Sequence, residues 1–521
     1  MVDRFTLALT ADVHGHVGPL HPLSGQPDDG GLARIGTLLA ELRARRPEAI
    51  YLDLGDLIQG SPLSYRAARE RPTSPHPLVR TLNRLGCAGM VVGNHEFNFG
   101  LEFLEAMRRH AEFPLLAANV LDGDGEPFFE PTLFVERNGK RLAILGLTTP
   151  QVPRWEEPWH IDGLTFRDCI ETARDWVPRL RREADAVVVA AHTGWSGVSD
   201  GSATTPLPLE NAGEQLARIP GVDLLLLAHS HRRFEHRGES GALVVQPGCR
   251  AELLGEVDLT WGASGSVLAS YQPRVAAATV EPDPAVLEDL AEDTAETNTY
   301  LDEVLATATA PFELRDVAYA DNAILSLFHR ALRETAGTDL SSTALFRSDQ
   351  GLAAGPIRRR DLFRIYPFEN DLTVLELTAD DVRAYLEETA RIYARPEAAA
   401  RRPSSDGHPP LDAQVPLFHH DTVAGAEYVV DPSRPFGNRI VSLTFGGVEL
   451  PSERRLTLAI SSYRAQGGGG YAALGRAQVI ERTGREIRVL LEEWLRAQGR
   501  VDPVVLDHWS LRGLTREQAL S

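Results

Sequence analysis

The chain has 521 residues, 43% of them hydrophobic and 24% charged, and a formal net charge of −20. That length exceeds a single hydrophobic core and points to several domains. The acidic balance excludes a nucleic-acid polymer as partner, because its phosphates need a basic surface, but not a small phosphorylated ligand held through cations.

Residues 6–10 read as a strand that begins almost at once, with no basic leader or apolar signal segment ahead of it. No run approaches the ~20 apolar residues of a membrane-spanning helix. The chain is therefore expected to be cytoplasmic, with no membrane contact. Leu32, Ile35, Leu38, Leu39 and Leu42 recur at helical spacing, and Pro47 follows them. Short apolar runs come next at 49–54, 91–92, 142–147, 186–191 and 223–228, each ending in a polar loop. This is how the buried strands of an α/β layer read. Residues 257–275 suit closing strands, and Pro282 and Pro284 then mark a break. Residues 285–306 are acidic with helical spacing, which suits a linker helix. Three segments are expected: a first domain over 1–280, a linker helix over 281–310 and a second domain over 311–521. The second domain is expected to hold a helix at 324–334, a strand at 372–377, a helix at 382–393 capped by Thr378 with Asp381 three residues on, an exposed loop at 395–416 and a last helix at 485–498. Cys87, Cys169 and Cys249 are few and scattered, which excludes a disulfide framework and a thiolate zinc site.

Five strand ends in the first domain carry the chemistry: Asp12-Val13-His14, Gly55-Asp56, Gly93-Asn94-His95-Glu96, Ala191-His192 and His229-Ser230-His231. Any one of them is an ordinary loop. Together they place imidazoles, carboxylates and an amide oxygen at the carboxyl ends of successive strands, where α/β proteins build sites. Mixed nitrogen and oxygen donors suit two divalent ions, Mn, Zn, Fe or Co in preference to Mg or Ca. The reaction such a pair supports is attack of an activated water on phosphorus. His95 stands directly beside Asn94 and points elsewhere, which suits acid–base work better than ligation.

These motifs resemble those of the calcineurin-like metallophosphoesterases, and among them the bacterial 5′-nucleotidase family. The resemblance runs over nearly the whole chain. It implies a four-layer α/β/β/α metallophosphoesterase domain joined by a linker helix to a C-terminal α/β domain of the 5′-nucleotidase type. It also implies the ligand sets: Asp12, His14, Asp56 and His231 around one ion, and Asp56, Asn94, His192 and His229 around the other. The runs Gly55 to Pro62, Gly93 to Gly100, Glu210 to Gly213, Tyr366 to Asn370 and Tyr463-Arg464-Ala465 ahead of Gly467 are similar to one branch, the 2′,3′-cyclic-nucleotide 2′-phosphodiesterase/3′-nucleotidases. By that resemblance Phe368 and Tyr463 sandwich the base, Asn370 hydrogen-bonds it, and Arg347 is the candidate for phosphate or ribose. Asn98 stands where the 5′-nucleotidase branch has an aspartate that orients the catalytic histidine, and the change also occurs in the cyclic branch. An amide orients an imidazole but adds no charge to it.

The resemblance implies in-line attack of a metal-bridged hydroxide on a small-molecule nucleotide substrate, with His95 and Asn98 as the catalytic pair. A 5′-nucleotidase or UDP-sugar hydrolase on the same scaffold is the alternative, followed by a non-catalytic nucleotide sensor.

Overall fold

The computed structural model describes residues 4–196, 209–262, 265–314, 317–346, 351–394, 408–412 and 415–513. Among them the chain divides between Asn298 and Thr299 into two compact units.

The first unit is built on two six-stranded sheets. In chain order its strands are β1 (Arg4–Thr10), β2 (Ile50–Asp53), β3 (Cys87–Val91), β4 (Leu115–Leu116), β5 (Val120–Leu121), β6 (Thr132–Arg137), β7 (Lys140–Thr148), β8 (Thr165–Phe166), β9 (Ala186–His192), β10 (Leu224–Leu227), β11 (Arg233–Arg237), β12 (Leu243–Pro247), β13 (Leu253–Trp261) and β14 (Val267–Val275). One sheet runs β14-β13-β1-β2-β3-β4 and the other β11-β12-β10-β9-β7-β6, while β5 and β8 form a small ribbon. Strands β1 to β4 are parallel to one another, as are β7, β9, β10 and β12; antiparallel strands close both edges of the second sheet and the β14 side of the first, whose other edge is the parallel β4.

Side-chain alternation explains the layers. Leu7, Leu9, Leu52, Ile144, Val188, Ala190, Leu224 and Leu226 meet in the core between the sheets. Ala8 and Tyr51 turn the other way, onto the helix Leu32–Arg45 and its neighbours. Ala143, Leu145, Val187, Val189 and Leu225 turn onto the helix Cys169–Glu183. Both faces of each sheet are therefore covered, which is why these strands read as unbroken apolar runs. The order of layers is α/β/β/α.

The helical link is shorter than 281–310. Asp283 caps the helix Pro284–Asp289, a second helix spans Ala291–Asp302, and Val304–Ala308 is already a strand, β15. Val286 and Leu290 are buried in the first unit, and Arg71 and Arg80 both reach Asp293. The acidic run that reads as a solvated linker is thus held on the first unit by arginines distant in sequence.

The second unit continues with β16 (Leu340–Thr343), β17 (Gly355–Arg358), β18 (Asp371–Thr378), β19 (Thr422–Ala424), β20 (Glu427–Val430), β21 (Ile440–Phe445), β22 (Val448–Glu449), β23 (Arg455–Ser461), β24 (Gln478–Glu486), β25 (Arg500–Val501) and β26 (Trp509–Leu511). They form sheets ordered β19-β16-β23-β18-β24, β22-β21-β20-β26 and β17-β15-β25. Asn322 caps the helix Ala323–Ala336, and Thr378 and Asp381 form the expected capping box of the helix Ala379–Thr389, which ends four residues before the expected 393. The helix Ile487–Gln498 is not the last element, since β25 and β26 follow it. Most of the expected loop at 395–416 lies outside the described residues.

Candidate metal centre

The strand ends named from sequence converge. Asp12 and His14 follow β1, Asp56 follows β2, Asn94 and His95 follow β3, His192 closes β9, and His229 and His231 follow β10. Asp12, His14, Asp56, His229 and His231 all hold positive φ, between 48° and 69°. Left-handed backbone is unfavourable for residues with a Cβ, by ~1–3 kcal/mol each, and such strain gathers where side chains must be aimed.

Two groups result. Asp12, His14 and His231 each offer one ligand atom, all within 4.8 Å of one another, and Asp56, His192 and His229 do the same. Asn94 joins the second group, its Oδ1 2.9 Å from His229 Nδ1. The groups abut, with Asp12 Oδ1 3.9 Å from His192 Nε2. Backbone carbonyls set the tautomers. His14 Nδ1 donates to Gln59 O at 3.1 Å and His192 Nδ1 to Leu54 O at 2.8 Å. Both therefore turn Nε2 inward, as metal-binding imidazoles do.

The fit to cations can be tested on His192. Its Nε2 is fully buried, has no hydrogen-bond partner and lies 3.1 Å from Asp56 Oδ2. Two acceptors facing each other at that distance need positive charge. Burial alone lowers the His192 pKa, yet Asp56 and Asp12 together hold it up to about 10. Burial raises Asp12 well above the usual carboxylate range, against the pull of His192. Burial and the neighbouring His231 push His14 well below the ordinary imidazole value. The positive charge that the two carboxylates hold on His192 is one a divalent cation would supply in place of the proton, with imidazole nitrogens, an amide oxygen and carboxylates as its donor set. All seven expected ligands lie in the two groups or against them.

His95 belongs to neither group, though it touches Asp56. Its N–H donates to Asp56 Oδ1 at 2.8 Å, its Nδ1 meets Asn98 Oδ1 at 2.7 Å, and its Nε2 is 4.0 Å from Asp56 Oδ2. Sequence reasoning missed the residues behind this layer. Buried Glu96 accepts the N–H groups of Asp56, Leu57 and Gly93 at 2.7–2.9 Å, tying the loops after β2 and β3 together. Glu210 lies 3.4 Å from His229 Nε2 and backs that ring. Asn98 Nδ2 donates to Glu156 Oε1, and Glu156 Oε2 accepts from His160 Nδ1 at 3.0 Å. Trp155 lies tilted beside His229, ring centres 5.5 Å apart. Glu96 and Glu210 had a sequence signal, each as part of a motif but with no role assigned to it; Trp155, Glu156 and His160 had none.

In the second unit Leu372 of β18 pairs with Ser461 of β23, and Asp371 N donates to Ser462 Oγ at 3.1 Å. The loop before β18, with Phe368 and Asn370, therefore leaves the sheet at the same end as the turn after β23, with Tyr463. Phe368 is 45% exposed and rests edge-on against Phe346, ring centres 5.0 Å apart. A Cβ on Gly468 would stand 2.6 Å from both Cε atoms of Tyr463, so this glycine lies under one face of that ring. Arg464, adjacent to Tyr463, is an anchor: buried, it grips Asp421 with two hydrogen bonds of 2.8 and 3.0 Å and also holds Phe418 O. Arg347 lies outside the described residues.

Two families match the chain. The calcineurin-like phosphoesterases match residues 5–233, and the 5′-nucleotidase C-terminal domain matches residues 304–476. The chain is 27% identical to a 2′,3′-cyclic-nucleotide 2′-phosphodiesterase/3′-nucleotidase of Yersinia enterocolitica, over 98% of this chain and 88% of that one. It is 22% identical to a 5′-nucleotidase of Vibrio cholerae, over 96% and 91% of the two chains. A solved structure described as a 5′-nucleotidase from Staphylococcus aureus in complex with alpha-ketoglutarate superposes with a TM-score of 0.85 at 25% identity, over 98% of this chain and 100% of that one.

Proposed function

The chain belongs to the calcineurin-like phosphoesterases that carry a 5′-nucleotidase C-terminal domain, and from that membership we propose that it hydrolyses phosphate esters of small nucleotides, opening 2′,3′-cyclic nucleotides and then removing the remaining 3′-phosphate. It is a hydrolase of phosphoric ester bonds. The observation that carries the reading is the convergence of the seven expected ligands on two abutting points, six of them in two groups and Asn94 against the second, with His95 beside them and outside both groups.

Asp12, His14 and His231 would hold one divalent ion, and Asp56, Asn94, His192 and His229 the other, with Mn, Zn, Fe and Co the candidates. Such ions, when bound, supply Lewis acidity toward the phosphate and lower the pKa of an attacking water. His95 is the acid in this reading. Asn98 Oδ1 keeps the proton on His95 Nδ1, so Nε2 is the atom that gives a proton to the departing oxygen. On a cyclic substrate the bond from phosphorus to O2′ breaks, a bond to the incoming oxygen forms, and O2′ leaves protonated. Phe368 and Tyr463 grip the base by stacking, which tolerates any base.

The test is steady-state hydrolysis of 2′,3′-cyclic AMP, 3′-AMP and 5′-AMP by metal-stripped protein reloaded with Mn, Zn or Co. Preference for the first two supports the reading. Preference for 5′-AMP moves the chain to the second reading, a 5′-nucleotidase like the Vibrio cholerae relative, with the same metal centre. His95→Ala is expected to lower kcat by ~10²–10⁴-fold with both metals retained; unchanged turnover would remove His95 from the mechanism.

A further inference from the structure

Behind His95 runs a chain of polar groups drawn from distant segments: His95 Nδ1 to Asn98 Oδ1 at 2.7 Å, Asn98 Nδ2 to Glu156 Oε1, and Glu156 Oε2 to His160 Nδ1 at 3.0 Å. Glu156 is 5% exposed and is the first residue after the short helix Val152–Trp155, on the loop that follows β7. A carboxylate only accepts hydrogen bonds, so Asn98 must turn its NH₂ toward Glu156 and its carbonyl oxygen toward His95. That oxygen in turn requires the His95 proton to sit on Nδ1. We propose that Glu156 is a positioning residue for catalysis: it fixes the orientation of the Asn98 amide, hence the His95 tautomer, and returns to the imidazole the negative charge that an amide at position 98 lacks. An amide whose N–H binds a carboxylate is polarised and becomes a stronger acceptor at its oxygen. His160 holds the second oxygen of Glu156 and keeps the carboxylate in place. The inference rests on the acid role of His95 argued above.

Glu156→Gln removes the charge and keeps the shape, and the Asn98 amide is then free to turn over. If His95 protonates the departing oxygen, the loss must depend on that oxygen. E156Q is expected to lower kcat by about 10- to 100-fold on 2′,3′-cyclic AMP, whose leaving alkoxide needs a proton. It should lower kcat less than threefold on bis(p-nitrophenyl) phosphate, whose leaving phenolate does not. Bound metal, measured by elemental analysis, should stay at the wild-type value. The second arm uses Asn98→Asp. Alone, N98D sets two carboxylates against each other where an N–H met an oxygen; the repulsion pushes the new carboxylate off His95, and the variant should be slower than wild type. In the E156Q background it places a carboxylate directly on His95 Nδ1, and the double variant should recover most of the activity that E156Q lost. A residue that merely supports the loop predicts neither the leaving-group dependence nor the recovery.

His95→Ala is run alongside. If H95A shows the leaving-group dependence and E156Q does not, or if the double variant fails to recover, the relay is overturned and the acid role stands. If H95A loses equally on both substrates, the acid role falls and the relay falls with it.

Discussion

Gly93→Ala probes the centre without touching a ligand. Gly93 follows β3 with ordinary negative-φ backbone, so alanine is allowed there by the chain itself. The space is not. An added Cβ would stand 2.6 Å from Asp56 N and 2.8 Å from His192 Cε1, with Asp56 Oδ1 nearer still. Ordinary contact begins near 3.4 Å, so the Asp56 carboxylate must give by about 1 Å and the His192 ring by about half as much. Neither can do so freely. Asp56 N is tied to Glu96, Asp56 Oδ1 holds the His95 N–H, and His192 Nδ1 is held by Leu54 O. A displacement of about 1 Å in a catalytic array costs on the order of 10²-fold in rate, and the methyl should destabilise the fold by only ~1–3 kcal/mol, as overpacking does. The assay is paired: calorimetric titration of stripped protein with Mn or Zn, and kcat on 2′,3′-cyclic AMP. G93A should bind the ion of the Asp56 group weakly and lose about 10²-fold or more in kcat while still melting cooperatively. Gly123→Ala, where nothing lies within 4 Å, is the control. Two ions bound per chain with kcat within threefold of wild type would refute the assignment of Asp56 and His192 to the site.

Three other perturbations test separate parts of the argument. His76 accepts the N–H of Leu78 at the start of the helix Pro77–Arg84, and burial, with Arg80 and Arg71 nearby and Asp293 opposing them, lowers its pKa to about 4. A histidine depressed in the fold contributes stability that is complete above its unfolded value of about 6.5 and is lost as pH falls toward 4, on the order of 3 kcal/mol in all; His76→Asn, which can still cap, should flatten the acid limb of urea midpoints between pH 7 and 4.5, and parallel pH curves for variant and wild type would contradict it. Phe368→Ala, at an exposed side chain, should leave the melting temperature nearly unchanged and raise KM for nucleotides by roughly 5- to 150-fold, the worth of one base stack, with p-nitrophenyl phosphate unaffected; equal losses on both substrates would remove Phe368 from base recognition. Arg464→Met strands the buried carboxylate of Asp421 and should cost about 3–5 kcal/mol in denaturant unfolding, so a loss below 1 kcal/mol would show that the pair is no anchor.

The convergence of the candidate metal centre was legible in sequence because two signals coincide there. Strands buried on both faces read as unbroken apolar runs, and a polar residue directly after such a run stands at the carboxyl end of a parallel strand. Asp12, Asp56, Asn94, His192 and His229 all carry that signature. Glu156 and His160 carry none. Glu156 follows one single-turn helix and His160 ends the next, Pro158–His160, with Glu156 58 residues beyond Asn98; elements so short carry no periodicity that reports a hydrogen bond. The Tyr-Arg-Ala motif was read as a substrate loop, yet its arginine is spent inside the fold on Asp421. Motif spacing reports which residues travel together, and only burial separates the residue that touches a ligand from the one that braces it.

The backbone of the site was the least legible part. Glycine is the sequence signal for positive φ, and it reports correctly at Gly15 and Gly55. It says nothing of the five expected ligands, none of them glycine, that adopt the same region. Their conformation follows from tertiary constraint. Asp12 N donates to Gly55 O, His14 N to Asp56 O and Gly15 N to Leu57 O, so the loops after β1 and β2 are laced together backbone to backbone. Glu96 then fastens the Asp56 loop to β3, and the His229 N–H is held by Asp12. Each of these bonds fixes a peptide whose own residue must then aim its side chain inward, and the left-handed turn is the geometry left to it. The strain is distributed over loops that cannot relax singly, which is how side chains carrying like charges and facing lone pairs are kept together in the fold.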